Sequence, residues 1–320
     1  MYRRKALLFV GHSMRVDALV FNTTEFGRLN KWYTAWLFLA PALIVLCVFF
    51  LVPVLAAFGL SLTDFDLYAL ADFHNLRFIA LDNYLSLLRR PLFWSALRHT
   101  LYFVVAGMPL TIFASLGAAL LLNSKLARCK SFFRTALFAP VVTTLVAVAV
   151  IWRYLFNARF GLVNYVLVSM GIHPVNWLGD PRWAMPTIIL FAVWKNFGYN
   201  MIIFFAGLQS IPEELYEAAR IDGASALAQF RHITLPMLRP TMLLVGILTM
   251  AGYFQLFAEP YVITEGGPLQ STVSVLYLMY SDAFKWWNLG VASAEAFVLF
   301  LLMFAVTVGF LRLMRRGERV

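Results

Sequence analysis

Glu217-Ala218-Ala219-Arg220-Ile221-Asp222-Gly223-Ala224-Ser225, followed by Ile233-Thr234-Leu235-Pro236, is a polar stretch set between two strongly hydrophobic ones. A chain that only had to turn back between two membrane helices could do so in a few residues. Here roughly thirty lie between Leu208 and Arg239, which is long for a connection. They carry a helix start signal, paired alanines, a stopping glycine and a proline. The stretch reads as a docking element, and its flanks read as membrane spans.

The composition of the whole chain agrees. Of 320 residues, 62% are hydrophobic and 13% charged, against about 25% charged in a soluble domain. The class is all-α integral membrane protein. A net charge of +10 would raise nucleic-acid binding in a soluble protein, but here the placement of the basic residues accounts for it. Cys47 and Cys129 fit neither a disulfide nor a metal spacing. His12, His74, His99, His173 and His232 are scattered without metal or triad spacing. No metal site and no catalytic constellation is expected.

Six apolar windows stand out, at about Trp36–Leu60, Leu101–Leu122, Phe132–Phe156, Met185–Leu208, Thr241–Ala258 and Val291–Leu311. A helix needs about 20 residues to cross a hydrocarbon core of about 30 Å. The fifth window is the weakest, interrupted by Gly246, Gly252 and Gln255. Pro41, Pro53, Pro109, Pro140 and Pro186 fall in or near spans and read as packing kinks, because neighbouring helices can satisfy the freed carbonyls. Lys and Arg concentrate before span one, after spans two and four, and after span six (Arg312, Arg315, Arg316, Arg319). That bias places both termini in the cytoplasm, although Arg89, Arg90 and Arg98 run against it. Ala6–Val10 is too short for the core of a signal peptide. Residues 1–31 read as a cytoplasmic leader, 32–315 as the membrane domain and 316–320 as a cytoplasmic tail; translation could begin at Met1 or Met14.

Within the polar stretch, Ser210-Ile211-Pro212-Glu213 has the spacing of a capping box, with proline in the first turn. Leu215, Ala218, Ala219 and Asp222 share one helical face. Gly223 fits a C-terminal cap, Ser225 begins a second short helix, and Pro236 and Pro240 end it before span five. The result is a helix–turn–helix at the membrane surface. Local physics leaves two readings: a solvated helix pair, or a surface that another protein approaches closely over its alanines.

The segment from Glu217 to Ser225, with Phe230, Ile233, Leu235 and Pro236, resembles the EAA loop of the permease subunits of binding-protein-dependent ATP-binding-cassette importers. The resemblance implies the type I importer permease fold. It also implies a coupling element of Glu217, Ala218, Ala219, Asp222, Gly223, Leu235 and Pro236 that sits in a cleft of a cytoplasmic ATPase. Ala206-Gly207-Leu208-Gln209-Ser210-Ile211-Pro212 and Leu81-Asp82-Asn83-Tyr84 resemble elements of the sugar-type permeases. So does the outer-loop motif of Thr264, Gly266, Gly267 and Pro268, which is followed by Ser271 and Thr272. The likeness is to the maltose and glycerol-3-phosphate type, and to the first of two paired permeases. Implied partners are a second permease, two ATP-binding subunits, an extracytoplasmic binding protein and a sugar, in a prokaryotic inner membrane. The chain has no G-x-x-x-x-G-K-[ST] phosphate loop, so ATP and Mg would be used by the partner ATPase, and this chain is not expected to be an enzyme or to bind a cofactor.

Polar groups within spans are costly and therefore candidates for the substrate path. They are Asn196, Tyr199 and Asn200 in span four, Tyr253 and Gln255 in span five, and Ser293 and Glu295 in span six. Each could equally make interhelical hydrogen bonds, and Glu295 and Lys195 could pair or snorkel outward. Lys195 is the one obvious cation for a phosphate ester, so the composition favours a neutral sugar over glycerol 3-phosphate. Loops 61–98 and 261–290 are candidate surfaces for a binding protein, with Trp286 and Trp287 readable instead as an interfacial belt. The rival class is an ion-driven transporter, for which Glu295 is the deep carboxylate the sequence offers.

Overall fold

The computed structural model describes residues 31–72, 74, 76–124 and 128–316. The expected leader up to residue 30 and the tail beyond 316 lie outside them. Among the described residues the structure is helical, and its one β feature is an isolated antiparallel bridge between Thr63 and Phe78.

The chain divides into two compact units, Met1–Ala56 and Ala57–Val320. The first contains α1 (Lys31–Leu46) and the start of α2 (Val52–Ser61), joined by a π-helical turn at Cys47–Leu51. Pro53 has no N–H with which to close a bond onto Phe49. The ladder slips by one residue just before it, with Val52 N–H reaching Cys47 O. Apolar residues surround this helix on every side, the pattern of a helix whose environment is apolar all round.

The second unit contains the short helices α3 (Leu67–Ala71) and α4 (Asp82–Arg89), then α5 (Pro91–Asn123), α6 (Lys130–Val142), α7 (Leu145–Leu155), α8 (Leu162–Ser169) and α9 (Pro181–Gln209). After α9 come α10 (Glu213–Ile221), α11 (Ala226–Gln229), α12 (Leu235–Met237) and α13 (Arg239–Phe254). Short α14 (Ala258–Ile263) and α15 (Val275–Tyr280) lead into α16 (Leu289–Arg316). Its spine is the packing of α5 along α9. Phe103, Val104, Ile188, Ile189, Met250 and Phe254 form one core, and Leu116, Met201, Phe204, Leu238 and Val245 form a second nearer the α10 end. Small residues bring backbones together: a Cβ on Gly198 of α9 would collide with the α6 backbone at Leu137.

The second, fourth and sixth windows are single long helices of 33, 29 and 28 residues. The third and fifth are not straight spans. Window three breaks between α6 and α7 with a bend of 97°, because Thr143 and Thr144 adopt extended backbone. A break in an apolar setting exposes carbonyls that must find partners. Thr143 Oγ1 donates locally to Pro140 O (2.6 Å), and Lys195 of α9 supplies the rest. Its Nζ donates to Pro140 O (2.6 Å), Val141 O (3.0 Å) and Thr143 O (2.9 Å), placing a cation at a helix C-terminus where the macrodipole favours it. Lys195 therefore neither pairs with Glu295 nor snorkels outward.

Window five is shorter than expected. Its helix stops at Phe254, leaving Gln255–Phe257 outside regular helix before α14, and the segment Ala226–Met237 meets α13 at 65°. Pro236 and Pro240 do not end a helix here. Each occupies the first turn of the next segment, where its missing N–H is no loss.

At the end of the bundle opposite α10, polar staples hold the short elements. Asn83 Nδ2 donates to Ser61 O (2.9 Å) and Thr63 O (2.8 Å), and Tyr84 OH meets Ser61 Oγ at 2.8 Å. Arg90, at the N-terminus of α5, makes a two-pronged ion pair with buried Asp282 and lies 3.8 Å from fully buried Glu295. Hydrogen bonding to Asp282 makes the Arg90 guanidinium hold its proton more tightly, with burial opposing. Glu295 is thus part of a structural charge cluster, and one arginine faces two carboxylates there. Replacing Arg90 with Met should cost about 3–5 kcal/mol, the usual penalty for stranding buried charge. Adding Asp282→Asn and Glu295→Gln to that variant should restore most of the thermal midpoint in detergent. A triple variant no more stable than Arg90→Met would show that the cluster is not where the loss arises.

Candidate functional site

The α10 loop is built by local signals. Pro212 precedes the helix, whose first turn carries Glu213 and Glu214, where the dipole favours anions. No side-chain cap bond comes from Pro212, and Ser210 does not form the expected capping box. Its Oγ turns back to Gly207 O (2.8 Å) and closes α9 instead. At the other end Gly223 has φ +75°. Gly223 N–H reaches Arg220 O (3.1 Å) and Ala224 N–H reaches Ala219 O (2.8 Å), the bond pair of a Schellman cap. Ser225 Oγ then accepts from Ala228 N–H (3.3 Å) and starts α11.

Glu217, Ala218, Asp222 and Gly223 are exposed, whereas Ala219, Leu235 and Pro236 are half-buried. Leu235 and Pro236 thus belong to the loop's root rather than to its outer surface. Tyr216 OH meets buried Thr234 Oγ1 at 2.8 Å and ties the two arms of the loop together. Sequence reading passed over Ile221 and Leu227, which are 88% and 75% exposed on either side of Gly223. Two large aliphatics flanking a cap in a polar loop were the available signal, and they are the features most suited to burial by a partner.

The arms of this loop are the ends of α9 and α13, and those two helices line a cavity of about 250 Å³. Asn196, Tyr199 and Asn200 enter from α9 and Tyr253 from α13, with Gln255 just beyond. Five of the seven expected path residues therefore converge. Ser293 does not line this cavity, and neither does Glu295, which belongs to the Arg90 cluster. Phe103, Val141, Thr249 and Glu259 complete the wall. Glu259 was not anticipated, because its segment lay outside the predicted windows.

Hydrogen bonds fix the wall. Asn196 Nδ2 donates to Ala192 O (2.9 Å), and Asn200 Nδ2 to Thr249 Oγ1 (2.8 Å). Tyr253 OH meets buried Thr111 Oγ1 at 2.5 Å, and its ring packs on Phe103 with centroids 4.8 Å apart. Tyr199 and Gln255 are exposed. Amides, hydroxyls and aromatic faces together suit a ligand with many hydroxyls and apolar ring faces. The volume falls below the roughly 300–1,000 Å³ of a complete small-molecule pocket.

The Thr264–Pro268 motif forms a compact knot at the opposite end from α10. Thr264 Oγ1 meets Thr272 Oγ1 at 2.7 Å, Thr272 Oγ1 donates to Gly267 O (2.8 Å), and Gly266 N–H reaches Pro260 O (3.2 Å). The Gly267–Pro268 bond is cis. Beside the knot, Arg153 of α7 lies 3.6 Å from Glu265. Trp286 and Trp287 are exposed between α15 and α16.

Residues 112–319 match the family model described as "Binding-protein-dependent transport system inner membrane component". The chain is 37% identical over 303 residues to the lactose transport system permease protein LacF of Rhizobium radiobacter, covering 93% of this chain and 99% of that one. It is 35% identical over 297 residues to the trehalose/maltose transport system permease protein MalF of Thermococcus litoralis, covering 92% and 98%. Its fold matches a chain of the bacterial alginate ABC transporter solved in complex with alginate pentasaccharide-bound periplasmic protein. There the TM-score is 0.74 at 20% identity, covering 91% of this chain and 97% of that one. A family model spanning most of the described bundle and relatives matched over nearly their whole length agree: this chain belongs to the inner membrane components of binding-protein-dependent transport systems.

Proposed function

We propose that this chain is one of two permease subunits of an ATP-driven importer. It would form half of a path for a sugar that an extracytoplasmic binding protein delivers. The observation that carries the reading is the direct connection between loop and cavity. The helices that emerge from the α10 loop, α9 and α13, are the ones whose side chains line the cavity. A push on the loop therefore reaches the cavity wall through two stiff elements rather than through flexible connections. Exposed Ile221 and Leu227 offer the apolar contact by which a cytoplasmic ATPase would grip it.

The names of the relatives support sugar as cargo, and the neutral polar wall agrees with it. The periplasmic partner in the structurally similar transporter supports delivery by a binding protein. The incomplete volume of the cavity is what one wall of a shared path would have. The charge pattern supports a cytoplasmic α10 loop and cytoplasmic termini. Glu295, on which an ion-driven reading rested, is buried 3.8 Å from Arg90 and does not line this cavity.

Glu217→Lys combined with Gly223→Val tests the coupling role. Gly223 has open space where a Cβ would stand, and at its φ of +75° a β-branched valine strains the backbone by about 1–3 kcal/mol. The double variant should keep the wild-type membrane fold, lose ATP-driven uptake and lose co-purification of its ATPase subunits. Normal uptake by that variant would remove the loop from the mechanism. Gln255→Ala tests the cavity: loss of one ligand hydrogen bond should lower uptake roughly 2–10-fold at unchanged abundance in the membrane. Equal losses of uptake and abundance would make Gln255 a structural residue.

A further inference from the structure

Among the described residues that line the cavity, Glu259 is the one charged group. It sits in the first turn of α14. An ammonium has three donors and no more, and all three of Lys195 are engaged by the carbonyls of Pro140, Val141 and Thr143. A ligand in the cavity therefore has no free N–H to gain from Lys195. Arg90 and Arg153 do not line the cavity and have partners of their own: Arg90 pairs with Asp282 and lies 3.8 Å from Glu295, and Arg153 meets Glu265 and Val262 O.

The amides are oriented the same way. Asn196 Nδ2 donates to Ala192 O, a group that can only accept, so chemistry fixes which end of that amide is nitrogen. Asn200 Nδ2 is engaged by Thr249 Oγ1. Each of these amides thus spends one of its two N–H groups on the protein, and the Glu259 carboxylate is the wall's one charged acceptor for a ligand.

We infer that Glu259 is a specificity-determining residue, accepting hydrogen bonds from the hydroxyls of a neutral sugar or polyol and rejecting phosphate esters, uronates and sulfonates. The inference rests on the reading of this cavity as part of a sugar path. A polyol brings hydroxyl donors to the Glu259 carboxylate. An anionic sugar brings a second negative charge beside Glu259, and the Lys195 N–H groups, engaged by three carbonyls, offer it no compensating hydrogen bond; like charges in juxtaposition are strongly disfavoured.

The test uses the assembled transporter in nanodiscs, with matched probes that differ only in charge: trehalose against trehalose 6-phosphate, and glucose against glucose 6-phosphate. Thermal stabilisation is titrated with each probe for the wild type, Glu259→Gln and Glu259→Asp. In the wild type the neutral probe of each pair should act at concentrations at least about tenfold lower than its phosphate ester. Glu259→Gln should narrow that ratio to within about threefold, and Glu259→Asp, which keeps the charge, should preserve it. Equal response to both probes in the wild type, response to neither, or full discrimination in Glu259→Gln would each overturn the inference. Uptake measured alongside separates the two levels. ATP-driven sugar uptake with unaltered discrimination in Glu259→Gln removes the role of Glu259 alone, whereas no sugar uptake by the complete wild-type importer removes the path reading beneath it.

Discussion

A helix broken inside an apolar region must find partners for the backbone groups that the break exposes, and much of this fold follows from how α6 does so. Its last carbonyls accept from the Lys195 ammonium, a side chain of α9. An ammonium in such a place is costly unless its donors are all satisfied; the carbonyls are costly unless they are bonded. Each group removes the other's penalty. The arrangement also requires α6 and α9 to lie in contact, which Gly198 permits one turn away by having no side chain to hold the backbones apart. With α9 fixed against α6 on one side and packed along α5 on the other, the residues on its remaining face have a defined place. Asn196, Tyr199 and Asn200 occupy that face.

The same helix carries the link between the two functional regions. About nine residues separate Asn200 from the end of α9, roughly 14 Å at a rise of 1.5 Å per residue, and α10 begins four residues later. From the other arm, α13 runs back from the bend at Leu238 to Tyr253. Between the arms, the Tyr216–Thr234 hydrogen bond and the Schellman cap at Gly223 keep the loop from deforming by itself. Under the proposed coupling role a force applied at Ile221 and Leu227 would be transmitted rather than absorbed, and the small residues at the tip would leave room for a partner to bear on the backbone.

Much of this was legible in the sequence because it rests on local patterns. The apolar windows announced the long helices, since α5, α9 and α16 need only length and hydrophobicity. Gly223 announced its cap, because an αL position after a helix is what glycine provides, and Ser225 announced the start of α11. What could not be read was pairing across the fold. Lys195 looks identical in sequence whether it faces a ligand, a carboxylate or three carbonyls. The same holds for Glu295, where sequence separation hides Arg90 and Asp282. Ser210 shows the limit of local patterns too, for its spacing to Glu213 is right for a capping box, yet its hydroxyl bonds to Gly207 at the end of the preceding helix.

The misplaced charges are instructive as a set. Both ionisable residues that the sequence offered for the interior, Lys195 and Glu295, serve the scaffold, while the carboxylate that lines the cavity, Glu259, comes from a short helix outside the predicted windows. The physical reason is cost. In a long straight span the backbone is satisfied within the helix, so a charge placed there must be paired by other side chains or by a broken neighbour. Where regular helix stops, as between Phe254 and Ala258, irregular backbone persists at depth only where it is buried in protein or lines a cavity. A charged side chain next to such a break then comes with access to that cavity. Breaks in apolar windows, more than polar residues within intact ones, mark where this fold can meet a ligand.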